Sequence, residues 1–356
     1  MTACRLGRVQ QYLAEQGIGA LLVSNLLNVR YLSGYTGSSA RLLITPDESY
    51  IITDSRYEIQ ICIECQNYSL VLIDGQWEAS AIALFRELNP RIAVFEGDAL
   101  NYLEWQSISS ALPDTKLLTA DNHIARMRLI KDAGEINLIR KAAQIVDTVY
   151  DNIVSFIKAG ITEKELSAEI DCELRKNGAE KEGADTIAIS GPRSALIHGK
   201  ATDRVISDGE IVLMDFSANY DGYHSDITRT VVVGKPDFHQ EDLYRIVLEA
   251  QSIAIDMIKP GVAGYDVDAA ARKYISDNGY GEFFSHGLGH GLGLHIHDSP
   301  AFSKYSTLIL EKGITATVEP GIYIPEWGGI RIEDDILVTD SGCEILTAAP
   351  KSIRLA

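Results

Sequence analysis

Residues 286–298 read HGLGHGLGLHIHD. His286, His290, His295 and His297 are packed there among four glycines. An isolated histidine is ordinarily a core or surface residue. A cluster separated by a residue type that lets backbone approach a ligand closely points instead to a site. The glycines fall as G-x-G-x-G-x-G, which misses the dinucleotide fingerprint, and the chain contains no P-loop, no H-E-x-x-H and no G-x-S-x-G. Phosphate cradles, zinc-protease helices and serine-hydrolase elbows are thereby set aside.

Upstream, Asp215 interrupts the apolar run IVLMDFSA, where an unpaired carboxylate would carry a heavy desolvation cost. Asp226 follows the stretch Tyr220-Asp221-Gly222-Tyr223 and opens the strand pattern ITRTVVVG. If YDGY closes a hairpin, the two acids stand on adjacent strands. Downstream the pattern recurs, with Glu319 in ITATVEPGIYI and Glu333 in GIRIEDDILV after the turn PEWGG. Most acidic residues are solvated surface charges, but these four lie inside apolar strand patterns. Four ionised carboxylates cannot share a site without a strong positive charge among them, and no lysine lies in these segments. A pair of divalent metal ions is the natural neutraliser.

The remainder bounds the reading. The chain has 356 residues, 46% hydrophobic and 23% charged, enough for one large core or two ordinary ones. Its formal charge of -18 has the wrong sign for gripping nucleic acid or an anionic membrane surface. No run of apolar residues is long enough to span a bilayer, and the opening stretch mixes charges, so a cytoplasmic location is expected. Five scattered cysteines argue against structural disulfides. Cys62 and Cys65 form a C-x-x-C, but SRYEIQICIEC reads as an amphipathic helix with both thiols on its buried side.

From residue 5 to about 125, strand patterns (ALLVS, RLLIT, SYIIT, SLVLI, RIAVF) alternate with helical ones, the texture of a mixed α/β domain. A long helical periodicity then stops at Gly160, and a second helix opens with Thr162 as N-cap and Glu165 three residues on. Beyond Asp185 come β-rich stretches separated by helices at about 241–258 and 265–278. The expected class is α+β, with an α/β domain over 1–128 preceding a domain over 129–356.

HGLGHGLGLHIHD, together with DFSANYDGYHSD, TVEPGIY and RIED in that order, closely resembles the Xaa-Pro peptidases of the pita-bread metallopeptidase family, aminopeptidase P and prolidase. NVRYLSGYTGSS and ITDSRYEIQ resemble that family's creatinase-like N-terminal domain. The resemblance implies a pita-bread catalytic domain in which Asp215 chelates one metal, His290 and Glu319 hold the other, and Asp226 and Glu333 bridge the two. An oxygen-rich set of this kind suits manganese, with cobalt or zinc able to occupy it. Such ions lower the pKa of water enough to make a nucleophile near neutral pH. By the same likeness Glu319 carries a proton to the leaving proline nitrogen. His297 and His198 attend the substrate carbonyl and its tetrahedral form, and His286 borders the proline pocket. Arg331 either orients the bridging carboxylates or makes an ordinary cross-strand charge pair. His295 is given no role, on the expectation that it faces away from the ligands. Proline-containing peptides as substrates and a homodimer complete what the likeness implies.

Methionine aminopeptidase fits less well, because of the N-terminal domain, the complete histidine signature and SDITRT. Creatinase lacks this ligand set. A non-catalytic peptide-binding relative would have lost ligands, whereas all five are present. Between the two Xaa-Pro enzymes, a dipeptide presents a carboxylate that profits from a cation, ideally arginine. Some prolidases carry an arginine four residues beyond the histidine matching His297; here that position is Ala301, and the next cation is Lys304. The expectation is therefore an Xaa-Pro aminopeptidase that releases the residue preceding proline, with Xaa-Pro dipeptidase as the alternative.

Overall fold

The computed structural model describes residues 2–182 and 184–355, and the chain falls into two compact units, 1–128 and 129–356. In the first, α1 (Thr2–Gln16) buries the stripe Leu6, Val9 and Leu13. Strands β1 (Ala20–Val23), β2 (Arg41–Ile44), β3 (Ser49–Thr53), β4 (Ser69–Leu72), β5 (Ile92–Phe95) and β6 (Lys116–Thr119) form one sheet in the order β4-β3-β2-β1-β5-β6. It is mixed: β1, β2 and β3 pair antiparallel, while β4, β5 and β6 join in parallel. Helices α2 (Leu26–Ser33), α3 (Glu58–Glu64), α4 (Trp77–Leu88), α5 (Tyr102–Ala111) and α6 (His123–Leu129) alternate with them. Leu22, Ile52, Phe85 and Phe95 form the core on one face. One expectation fails: Cys65 is buried at the end of α3, but Cys62 is exposed on that helix.

In the second unit, α7 (Ala133–Val154) and α8 (Glu163–Lys176) each open with a capping box, at Asp132 with Glu135 and at Thr162 with Glu165. α7 stops at Val154, short of Gly160, where Phe156 N–H bonds back to the Ile153 carbonyl in a tighter turn. α9 (Phe238–Met257) and α10 (Gly264–Asp277) follow. Strands β7 (Lys181–Glu182), β8 (Ile187–Ser190), β9 (Ile211–Tyr220) and β10 (Tyr223–Val232) make one sheet, with β7, β8 and β10 all paired to β9. Strands β11 (Gly289–Gly291), β12 (Asp298–Phe302), β13 (Thr315–Val318), β16 (Asp334–Val338) and β17 (Cys343–Ile345) make another, in the order β12-β11-β13-β16-β17. β14 (Gly321–Ile324) and β15 (Gly328–Arg331) pair with each other. Val149 of α7 and Ile170 of α8 pack with Met214 and Ile227 of the first sheet, whereas Val247 of α9 and Ala271 of α10 pack with Val318 and Ile336 of the second.

Two backbone features set up the site. Asp221 (φ 48°) and Gly222 (φ 81°) are both left-handed, as a two-residue type I′ hairpin loop requires. That loop fixes the register of β9 on β10, placing Thr228 opposite Asp215 and Asp226 opposite Ser217. Opposed residues and next-but-one neighbours point to the same face, so both acids share it.

The second feature departs from the expected continuous strands. β13–β16 and β14–β15 share one register, yet the pattern breaks where Glu319 and Glu333 face each other across it. There the Glu319 N–H bonds to the Leu288 carbonyl (2.8 Å) and the Glu333 N–H to the Thr228 carbonyl (3.1 Å). The break stitches this long hairpin to the histidine segment on one side and to β10 on the other.

Candidate active site

A cavity of about 490 Å³ in the second unit is lined by Asp215, Asp226, His290, Glu319 and Glu333 together with His198, His286, His297 and Arg331. All nine were singled out in the sequence, and the five expected metal ligands among them meet at one place despite lying on four separate segments. His290 projects from β11, where the flanking glycines have a packing reason. A Cβ on Gly289 would collide with the Thr317 carbonyl of β13, and one on Gly291 with the Ser299 carbonyl of β12. Close approach of strands, more than of a ligand, demands glycine at these two positions.

Asp226, His290 and Glu333 each offer a ligand atom within 4.8 Å of the others. His290 Nε2 lies 3.5 Å from Glu319 Oε1 and 3.9 Å from Asp226 Oδ2. Burial lowers the His290 pKa to about 4, so the ring is neutral. Its Nδ1 donates to the Gly291 carbonyl (3.2 Å), which leaves the Nε2 lone pair directed at the carboxylates. Burial first, and repulsion from a neighbouring carboxylate second (Asp215 for Asp226, Asp226 for Glu333), holds both groups well above the usual carboxylate range. Burial raises Glu319 to about 7.

Arg331 is fully buried beneath this cluster. Its Nη2 donates to Asp215 Oδ2 (2.5 Å), its Nε to Thr228 Oγ1 (3.0 Å) and its Nη1 to the Tyr323 hydroxyl (2.9 Å). Of the expected bridging carboxylates it reaches only Glu333, and that through Thr228, whose hydroxyl donates to Glu333 Oε2 (2.5 Å). The Tyr323 hydroxyl in turn contacts His286 Nε2 (2.9 Å), while His286 Nδ1 lies 2.7 Å from the Gly287 carbonyl. Thr317 donates to Glu319 Oε1 (3.2 Å) and accepts from the His290 N–H (3.1 Å). Asp335, held up to about 8 by burial, accepts from Ser225 (2.5 Å) and from the Asp226 N–H (3.1 Å). Thr228, Thr317, Tyr323 and Asp335 were not singled out in the sequence. The one usable signal was their alternation with the acids on strands whose register the turns fix.

His297 sits exposed at the cavity, its ring 4.5 Å from that of His290. His198 is exposed in the turn after residues 191–195. His295 is exposed, does not line the cavity, and places its Nδ1 2.8 Å from the His297 carbonyl.

The donor set fits divalent cations, as neighbouring acids demonstrate. Asp334 is neutralised by Arg229 (2.7 Å) and Lys351 (2.6 Å) and also accepts from Thr347 and Gln251. Among the described residues Glu333, one residue away, receives only Thr228, and its Oε1 is buried with no hydrogen-bond partner. Asp335 Oδ1 is unpaired as well, but Glu333 is the one that offers an atom within 4.8 Å of Asp226 and His290. A buried carboxylate oxygen left unpaired is costly unless a retained proton or a cation completes it, and a cation is what lets the group ionise. Four carboxylates facing one guanidinium and a neutral imidazole require further positive charge, and hard oxygen donors suit hard divalent ions.

Residues 137–340 match metallopeptidase family M24, and residues 5–130 match the creatinase/prolidase N-terminal domain. The chain belongs to metallopeptidase family M24. It is therefore a peptide hydrolase dependent on divalent metal ions, with a creatinase-type N-terminal domain before a pita-bread catalytic domain. An Xaa-Pro dipeptidase from Bacillus anthracis is 40% identical, with a TM-score of 0.96 over 100% of both chains. An X-Pro aminopeptidase from Thermotoga maritima MSB8 is 40% identical, with a TM-score of 0.93 over 99% of both. An Xaa-Pro dipeptidase from Pyrococcus horikoshii is 35% identical over 98% of each chain. Among the described residues, no helix is long and apolar enough to cross a membrane.

Proposed function

We propose that the protein is an Xaa-Pro dipeptidase whose metal ions are held by Asp215, Asp226, His290, Glu319 and Glu333. The observation that supports the metal-site part of this reading, which either Xaa-Pro enzyme would share, is the cluster of four carboxylates around one neutral imidazole, with an unpaired buried oxygen on Glu333. Relatives named as dipeptidases outweigh those named as aminopeptidases, so the alternative takes precedence over the aminopeptidase that the missing arginine at Ala301 favoured. When bound, the ions supply Lewis acidity and a water molecule of lowered pKa.

The chain's own residues do the rest. Glu319 accepts the proton of the attacking water and passes it to the proline nitrogen, a poor leaving group until protonated. His297, with His198, donates to the carbonyl oxygen as it becomes tetrahedral. His286, locked by Tyr323, forms the wall against the proline ring. Manganese, a homodimer and a cytoplasmic location belong to the same reading, the last supported by five free cysteines.

The manganese-loaded enzyme is expected to favour an Xaa-Pro dipeptide over the same peptide extended by one residue by more than about tenfold in kcat/KM, about 1.4 kcal/mol. A preference for the extended peptide returns the assignment to aminopeptidase. His297→Ala is expected to keep its metal content while kcat falls by about a hundredfold, because the hydrogen bond strengthens only in the transition state. Metal loss measured by elemental analysis would make His297 a ligand instead.

A further inference from the structure

A dipeptidase must recognise the free carboxylate that ends its substrate, and Ala301, exposed on β12, offers no charge for it. Among the described residues lining the cavity, the lysine and arginine side chains are Lys200 and Arg331. Arg331 is fully buried and committed to Asp215, Thr228 and Tyr323. Lys200 is different. Its side chain is 85% exposed, and its Nζ contacts Asp185 at 3.2 Å, on a carboxylate that is itself 86% exposed. An ion pair so open to water contributes little and exchanges readily.

The backbone beneath Lys200 is, by contrast, held firmly. Glu163, at the start of α8, is wholly buried and accepts from the Ser190 N–H (2.9 Å), the Thr202 N–H (3.0 Å) and Arg193 Nε (3.1 Å). Arg193 then donates from Nη2 to the Lys200 carbonyl (2.6 Å). Both ends of the segment 190–202 are tied to one carboxylate, which fixes the main chain carrying His198 and Lys200 and leaves the lysine's amino group free to swing. A buried acid accepting this many bonds is a positioning device for a loop that has no regular structure after Ala195.

We propose that Lys200 binds the carboxylate of the substrate's terminal proline, its Nζ leaving Asp185 to do so. The inference rests on the dipeptidase reading. Lys200 replaces an arginine fork by a single mobile ammonium, a weaker but workable partner for a carboxylate.

The test compares an Xaa-Pro dipeptide with the corresponding Xaa-Pro amide, which lacks the charge, using metal-loaded enzyme. Wild type is expected to favour the dipeptide at least tenfold in kcat/KM. Lys200→Met is expected to reduce that ratio by about tenfold or more, mainly through KM, and Lys200→Arg to keep it within about threefold. Asp185→Asn, which removes the competing carboxylate, is expected to raise it. If wild type favours the dipeptide and Lys200→Met leaves the ratio unchanged, the role of Lys200 is overturned while the dipeptidase reading stands. If wild type does not discriminate, the dipeptidase reading fails and the role of Lys200 fails with it.

Discussion

Asp226→Asn is expected to lower kcat/KM by about a thousandfold, about 4 kcal/mol of transition-state stabilisation, and to lower metal content with it. The substitution keeps shape and burial but removes a charge from the face shared with Asp215. Circular dichroism should be unchanged, since the hairpin depends on its Asp221-Gly222 loop rather than on this carboxylate. Full activity of the variant, or of wild type after exhaustive chelation, would refute metal dependence through this residue. The protonation states add a check on loading. In the metal-free site the carboxyls of Asp226, Glu319 and Glu333 retain protons further up the pH scale than free acids do. Metal binding must displace those protons, so calorimetry should find proton release and tighter binding at pH 8 than at pH 6. For the same groups the folded pKa exceeds the unfolded one. Their stabilising contribution is therefore complete below the ordinary carboxylate range and lost as pH rises through the folded values, about 7 for Glu319. Metal-free protein should melt lower at pH 8 than at pH 5, and added metal should reverse the trend.

Arg331→Met is expected to destabilise the metal-free protein by about 3 kcal/mol, the lower end for breaking a buried pair because Asp215 keeps some exposure. For a unit of this size the melting temperature should fall by roughly 6–12 °C. The change strands Asp215, and it also removes the donors to Thr228 and Tyr323, which steady Glu333 and His286. Activity should drop even in variant protein saturated with metal, since three site residues lose their common support. A melting temperature within about 2 °C of wild type would show that the guanidinium is not needed to hold the acids together.

The acids were visible in the sequence because carboxylates are out of place in runs such as IVLMDFSA, and Asp221-Gly222 announced its own turn. That turn alone settles which face Asp226 takes. The glycines about His290 were equally visible but pointed to a ligand, whereas Gly289 and Gly291 answer to the carbonyls of neighbouring strands. Thr228, Thr317 and Tyr323 were invisible for the opposite reason. Threonine and tyrosine are ordinary strand residues, and nothing local separates one that holds a carboxylate from one that fills a pleat. The breaks at Glu319 and Glu333 were hidden as well, since apolar alternation runs straight through both. Only the pull of Leu288 and Thr228, distant in the chain, diverts those N–H groups. Cys62 shows the converse error, an apolar helix face taken for a buried one.

The single register running from β13–β16 into β14–β15 also says where this chain tolerates changes in length. Residues added or removed in the turn between Ile324 and Gly328 leave the pairing of both arms untouched, so Glu319 and Glu333 stay facing each other. One residue inserted between Arg331 and Glu333 turns the following arm over and points Glu333 away from His290. One inserted between Glu319 and Gly321 turns β14, with Tyr323, over instead and takes Glu319 out of register with Glu333. Length changes in this hairpin are therefore expected to be tolerated at its tip and to cost activity at the two short junctions beside the acids.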